Sequence, residues 1–155
     1  MTQKYEMFAL NLPPYPYKIK EDGTKKLIFD SFRRCYVALS PEEWVRQHFC
    51  HYLCQYKHYP AQRMANEYSI NLNGLWRRCD TVVFDRQGQV WCICEYKAPS
   101  VKIDQHVFEQ ILRYNWVLKA RYLMLSNGLQ HYACRIDYEQ QQTTFLTDIP
   151  AFEDS

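Results

Sequence analysis

Two apolar runs, Cys79–Asp85 and Val90–Tyr96, are joined by the short polar turn Arg86-Gln87-Gly88-Gln89, and this feature most constrains what the chain can become. Each run has the length and β-branched or aromatic content of a strand, and the turn closes them into a hairpin. An isolated hairpin has only marginal stability in water, so these strands must belong to a larger sheet with layers packed against it. Met64–Leu72 reads as a third strand, separated from the first run by Asn71-Leu72-Asn73-Gly74. Upstream, Ser40-Pro41-Glu42-Glu43 opens a helix, with Ser40 as cap, Pro41 at the first helical position and Glu43 completing a capping box. Val45, Phe49, Leu53 and Tyr56 follow at helical spacing and predict an amphipathic helix over 41–57. Asp104–Lys119 reads as a second helix striped by Val107, Ile111, Tyr114 and Leu118. Tyr122–Ser126 and Tyr132–Ile136 read as strands split by a two-residue Asn127-Gly128 turn. The expected order is αβββαββ: an α/β fold with a mixed central sheet flanked by helices.

At 155 residues, with 47% hydrophobic and 23% charged residues, the chain can bury a full core as one domain. Residues 1–39 are expected to form an irregular N-terminal arm, because Pro13-Pro14-Tyr15-Pro16 blocks helix and only a short hairpin at Asp22-Gly23 is signalled. Residues 40–136 then form the catalytic core and 137–155 an acidic C-terminal tail. All 19 Lys and Arg lie at or before Arg135, against 12 acids in the same stretch. A basic body of this kind suits a polyanionic partner, although a solvated surface accounts for the charge equally well. The seven cysteines are an odd number without tight pairing, and the opening Met1–Glu6 carries an acid with no apolar stretch after it. Reduced cysteines and a cytoplasmic location are therefore expected. No apolar run approaches the ~20 residues of a membrane span, so no membrane partner is expected.

The chemistry concentrates on the central hairpin. A turn centred between Gln87 and Gly88 sets Asp80 directly across from Glu95, with Cβ atoms about 4.5–5.5 Å apart. Two facing carboxylates repel unless a cation lies between them. Lys97, two residues beyond Glu95, falls on the same face by strand alternation. Such a patch suits Mg²⁺, which takes one or two protein carboxylates and completes its shell with water and phosphate oxygens. Lys97 would orient or deprotonate an attacking water. An ordinary salt bridge at an exposed hairpin end fits the same spacing.

Asp80 followed by Glu95-Tyr96-Lys97, between a preceding and a following helix, resembles the signature of the PD-(D/E)XK nuclease superfamily and its restriction-endonuclease-like αβββαβ core. More narrowly, Leu39–Arg46, Leu72-Asn73-Gly74-Leu75, Glu95–Pro99 and Ser126-Asn127-Gly128 resemble small proteins similar to the N-terminal nuclease domain of type I restriction enzyme R subunits. The resemblance covers roughly residues 8–150. It implies a Mg²⁺-dependent nuclease acting on DNA (Mn²⁺ being a possible substitute), with Asp80 and Glu95 as metal ligands and Lys97 as the catalytic lysine. Tyr96 would lend its carbonyl to the ion. Gln110 and Tyr114 resemble a Gln-xxx-Tyr motif of RecB-like branches, four residues apart on one helix face and able to reach the site or the nucleic-acid backbone. Glu67 is a further candidate ligand, as is Glu43. Arg77 and Arg78, just before Asp80, are placed for phosphate contacts. Cys79 stands where many members of the superfamily have proline. No Gly-x-x-x-x-Gly-Lys-Ser/Thr loop occurs in these residues, so they carry no ATP-driven motor and a larger restriction-type complex is the expected partner. A homodimer would suit cutting two strands but is not required. The alternative from a different class is a catalytically silent nucleic-acid-binding or docking module of the same fold.

Cys50, Cys54 and His58 follow at i, i+4 and i+8, which spans ~12 Å of helix and is too far for one zinc ion, so packing is expected. Trp76 beside Arg77 and Arg78, and Tyr15 and Tyr17 beside Lys18 and Lys20, are the places where aromatics interleave with bases as in single-strand stacking platforms.

Overall fold

A computed structural model describes residues 9–153, apart from the side chains of 113–116. A small antiparallel sheet comes first, formed by β1 (Ile19–Asp22), β2 (Lys25–Asp30) and β3 (Cys35–Ala38). Helix α1 (Pro41–Tyr56) follows, then a 3-10 turn at Ala61–Arg63 and the strands β4 (Met64–Leu72), β5 (Leu75–Phe84) and β6 (Val90–Tyr96). Helix α2 (Gln105–Leu118) crosses over to β7 (Tyr122–Ser126), and β8 (His131–Asp137) and β9 (Gln142–Phe145) complete a six-stranded sheet in the order β4-β5-β6-β7-β8-β9. Only the β6–β7 pair is parallel, as expected where a helix rather than a turn joins the two strands. The described residues are thus α/β, with a mixed sheet and two α-helices.

Capping explains the helix ends. Ser40 Oγ accepts from the Glu43 amide at 3.0 Å, and Asp104 Oδ1 accepts from the Val107 amide at 3.0 Å. The helices cover opposite faces of the sheet. On the α1 side, Val45, Phe49, Cys50 and Leu53 pack on Val83, Cys92, Cys94, Tyr96 and Met124. On the α2 side, Phe108 and Ile111 pack on Val82, Ile93, Leu123 and Leu125. Alternation along β6 therefore sends Cys92, Cys94 and Tyr96 to α1 and Ile93 to α2, which leaves Glu95 on the α2 side. Among the described residues no helix is long and apolar enough to cross a membrane.

Three expectations need correction. Residues 1–39 are not an irregular arm in their described part, since 19–38 form a three-stranded sheet. The Pro13–Pro16 segment also lies on α1, with Tyr15 stacked on His51 at 4.1 Å and donating to Gln47 Oε1 at 2.9 Å. The tail from 137 is likewise structured, contributing β9 and the buried Ile149. The Asn127-Gly128 hairpin has a four-residue loop, because Ser126 pairs with His131 and Asn127 Oδ1 holds the amides of Leu129 and Gln130 at 2.9 and 2.8 Å.

Candidate active site

The hairpin register that sets the site is present: Thr81 pairs with Cys94, Val82 with Ile93 and Val83 with Cys92, after a shift at Val83/Phe84. The ladder stops one position short of the two carboxylates. Beyond Thr81–Cys94 the backbones no longer pair, and the acidic side chains take over the bonding. Asp80 Oδ2 accepts from the Tyr96 amide at 2.8 Å, and Glu95 Oε2 accepts from the Asp80 amide at 3.2 Å. Each carboxylate is oriented by a backbone N–H of the facing strand, and the two carboxyl groups also hydrogen-bond to each other. The β4–β5 ladder is also interrupted here. Its pairs run Asn66–Thr81 and Tyr68–Cys79, skipping Glu67 and Asp80, and Glu67 has φ 56°. Cys79 and Val82, three residues apart, both reach the α2-side core, so β5 loses its alternation at Asp80.

Asp80, Glu95, Tyr96, Lys97 and Gln110 line one cavity of about 210 Å³, joined by Arg78, Ile111 and Glu42. Gln110 comes from α2, and the Lys97 amide is tied to the Ser126 carbonyl at 2.9 Å, which anchors the chain as β6 ends. Glu95 is only 7% exposed. Its burial, then its hydrogen bond to Asp80 and that residue's charge, raise its pKa to about 10, against the lowering effects of the Asp80 amide and the Lys97 ammonium. The raised pKa lets Glu95 share a proton with Asp80, and a divalent cation at the pair would instead favour the ionised form of both.

A larger cavity of about 560 Å³ adjoins the first, sharing Glu42, Arg78, Asp80 and Tyr96 and adding Arg33, Arg46, Glu43 and Glu67. The buried Glu43 carboxylate is held by Arg33 Nη2 at 3.0 and 3.1 Å, by Arg46, and by Gln47 Nε2 at 2.8 Å. Its role is therefore to anchor an ion network as well as to sit in the first helical turn. Glu67 lies 3.1 Å from Arg33, 3.7 Å from Arg46 and 3.8 Å from Arg78. It lines the larger cavity and not the one with the carboxylate pair.

Of the residues singled out in the sequence, the fold gathers Asp80, Glu95, Tyr96, Lys97, Gln110 and Arg78 around one cavity. Arg77 lines neither cavity, and its guanidinium reaches the Trp76 carbonyl at 3.4 Å. The side chain of Tyr114 lies outside the described residues. Arg33 and Arg46 were missed, and Glu42 was seen only as part of the helix start; the one local signal for the network was the Glu43/Arg46 spacing of three on a helix. Cys50 is packing, as expected, buried with its Sγ 3.6 Å from Tyr96 Oη.

The donor set decides which ion would fit. Among the described residues no group of three or more His, Cys, Asp or Glu side chains converges on one point. A closed tetrahedral zinc site is not formed by them. Two carboxylates beside a cavity, with room for water and phosphate oxygens, match the way Mg²⁺ is usually held.

The fold and site together define an α/β domain with a carboxylate pair and a lysine at the splayed end of a central hairpin. Residues 41–150 match the family described as type I restriction enzyme R protein N terminus (HSDR_N), and the chain belongs to that family. A solved fragment assigned to the HsdR subunit of a type I restriction enzyme from Vibrio vulnificus YJ016 shares the fold, with a TM-score of 0.53 and 16% identity over 73% of this chain. This chain spans only 24% of that one. No curated protein matches the sequence.

Proposed function

We propose that this chain is a Mg²⁺-dependent nuclease of the restriction-endonuclease-like, PD-(D/E)XK kind that hydrolyses phosphodiester bonds of DNA within a larger restriction-type assembly. The observation that carries this reading is the pair Asp80 and Glu95, crossing between splayed strands at a cavity shared with Lys97 and Gln110. Once the proton shared between them has left, Asp80 and Glu95 would hold the ion through their carboxylate oxygens, with the Tyr96 carbonyl as a further donor. When bound, Mg²⁺ supplies an acidified water and offsets charge growing on the scissile phosphate. The Lys97 ammonium orients the attacking water and a non-bridging phosphate oxygen. Gln110, presented by α2 to the same cavity, would donate to the phosphate. Arg78 at the cavity mouth holds the backbone of the strand. Membership of the R-subunit family supports the link to a restriction system.

Plasmid nicking with Mg²⁺ or Mn²⁺ tests the proposal, alongside calorimetric metal titration and circular dichroism. Wild-type protein is expected to nick. Asp80→Asn should lose metal binding and cleavage together. Lys97→Met should keep metal binding and lose cleavage by 100-fold or more, with both variants folded. Cleavage that survives both substitutions, or wild-type protein that neither binds metal nor cuts, rejects it; DNA binding without cutting under any metal selects the silent-module reading.

A further inference from the structure

The β4–β5 hairpin runs past the rest of the sheet. Strand β6 pairs with β5 only from Thr81 onward, whereas the β4–β5 ladder continues from Tyr68–Cys79 to Leu72–Leu75. Five residue pairs therefore form a two-stranded finger about 17 Å long with no third strand beside it among the described residues. Asn73 (φ 52°) and Gly74 (φ 87°) close its tip as a two-residue turn with both residues left-handed, the geometry that matches strand twist and makes a stiff hairpin. One face of the finger is anchored, because Ile70 and Cys79 are buried in the α2-side core. The other face carries Ser69, Asn71, Trp76 and Arg78, all exposed. Trp76, at 68%, is the most exposed large apolar side chain among the described residues.

We infer that this face is a stacking platform for an unpaired nucleic-acid strand leading into the active site, with Trp76 taking a base and Arg78 the adjoining phosphate. The inference rests on the nuclease reading for what lies at the end of the track. Its own support is the composition and placement of the face. Arg78 is the basic side chain of this face, 3.8 Å from Glu67, and Arg77 is exposed on the opposite face of the same acid-free finger, a charge placement that suits a polyanion. A single indole framed by a hydroxyl, an amide and a guanidinium offers a flat surface for a base and donors for its edges. It lacks the contiguous apolar area that a protein partner would cover. The track is also continuous: Arg78 lines the same cavity as Asp80, and Trp76 sits four residues, about 13 Å, up the strand from that carboxylate. A base in a duplex is stacked on both faces and cannot lie flat on an indole, so the platform favours single-stranded or frayed DNA over intact duplex.

Fluorescence anisotropy with a labelled oligothymidine and a labelled hairpin duplex, both in EDTA, tests this without requiring cleavage. Wild-type protein is expected to prefer the single strand. Trp76→Ala should weaken single-strand binding by about 5- to 100-fold while leaving duplex binding and the salt slope unchanged, and Trp76→Phe should restore most of the loss. Arg78→Ala should instead lower the salt slope by about one. Single-strand affinity unchanged in Trp76→Ala, or loss equal for single strand and duplex, overturns the inference and leaves the finger to a protein partner. A Trp76-dependent single-strand preference in a protein that cuts nothing upholds the platform and rejects the nuclease. Cutting with no Trp76 dependence does the reverse.

Discussion

Burial raises the Glu95 carboxyl to about 10 from its ordinary 4.5, and the Asp80 carboxyl beside it adds to the rise. The metal-free folded chain keeps a proton there that the unfolded chain releases above about pH 4.5. Bound protons are thus more numerous in the folded state, and stability from this group falls as pH rises above the ordinary carboxylate range. Glu95→Gln imitates the protonated form. Without metal it should match wild type near pH 4.5 and melt several degrees higher at pH 8, where the native carboxyl is costly. Calorimetry at the two pH values checks this, and a variant that melts lower at pH 8 contradicts it. The same proton must leave when a divalent ion binds, so Mg²⁺ titrations in buffers of different ionisation enthalpy should report proton release, and affinity should rise with pH. Gly128 gives a second residue-level prediction. Its φ is 87°, and an added Cβ would lie 2.6 Å from Leu10 Cδ2 and 3.1 Å from Val45 Cγ2. Gly128→Ala should lose about 1–3 kcal/mol in urea unfolding, and a midpoint equal to wild type would show that the loop re-forms without strain.

Between elements, Arg33 is the junction. From the turn after β2 it contacts the buried Asp30 and Glu43 and the half-exposed Glu67, tying the small sheet to α1 and β4. Arg33→Met leaves two buried carboxylates short of their counter-charge. It should cost about 2–4 kcal/mol, less than a fully buried pair because Arg33 is partly exposed. Urea midpoints measure the loss, and double substitution with Glu43→Gln should recover part of it. This junction was not legible in the sequence, because its members come from three segments far apart in the chain, with nothing in their spacing to link them. The helices were legible, since Ser40-Pro41 and Asp104 cap where the backbone needs them. Of the small sheet only the β1–β2 hairpin at Asp22-Gly23 was legible, because β1 and β3 are four residues long and mostly exposed, with no apolar alternation to mark them. Strand β9, exposed along its whole length at the sheet edge, left no pattern either. At the candidate site the turn fixed the register and brought Asp80 and Glu95 together. The splaying that makes them replace backbone bonds was hidden, because ladder counting assumes strands stay paired to their ends.

At the scale of the whole molecule, the two ends of the described chain close the α1-side core. The Pro13–Pro16 segment covers α1 through Tyr15, and the tail covers the opposite end of the same cluster. There Ile149 is buried, Phe152 packs on Trp91 and Tyr59 at 4.8 and 5.5 Å, and Tyr59 Oη donates to the Pro150 carbonyl at 2.8 Å. The Phe152 amide donates to the Lys57 carbonyl at 2.9 Å, satisfying a backbone group just past the end of α1. The acidic tail is therefore a lid on the core, held mainly by apolar contact. The Lys57–Asp148 pair, with Asp148 largely exposed, adds little. Deleting 147–155 uncovers Trp91 and Tyr59 and removes two large apolar side chains, a loss of about 3–5 kcal/mol. The deleted protein should melt well below wild type and bind a hydrophobic dye, while Asp148→Asn in the full chain should change the melting temperature by a degree or less. A deletion variant that melts like wild type would mean the core is closed without the tail. An Asp148→Asn variant as unstable as the deletion would mean charge, not burial, holds the tail in place.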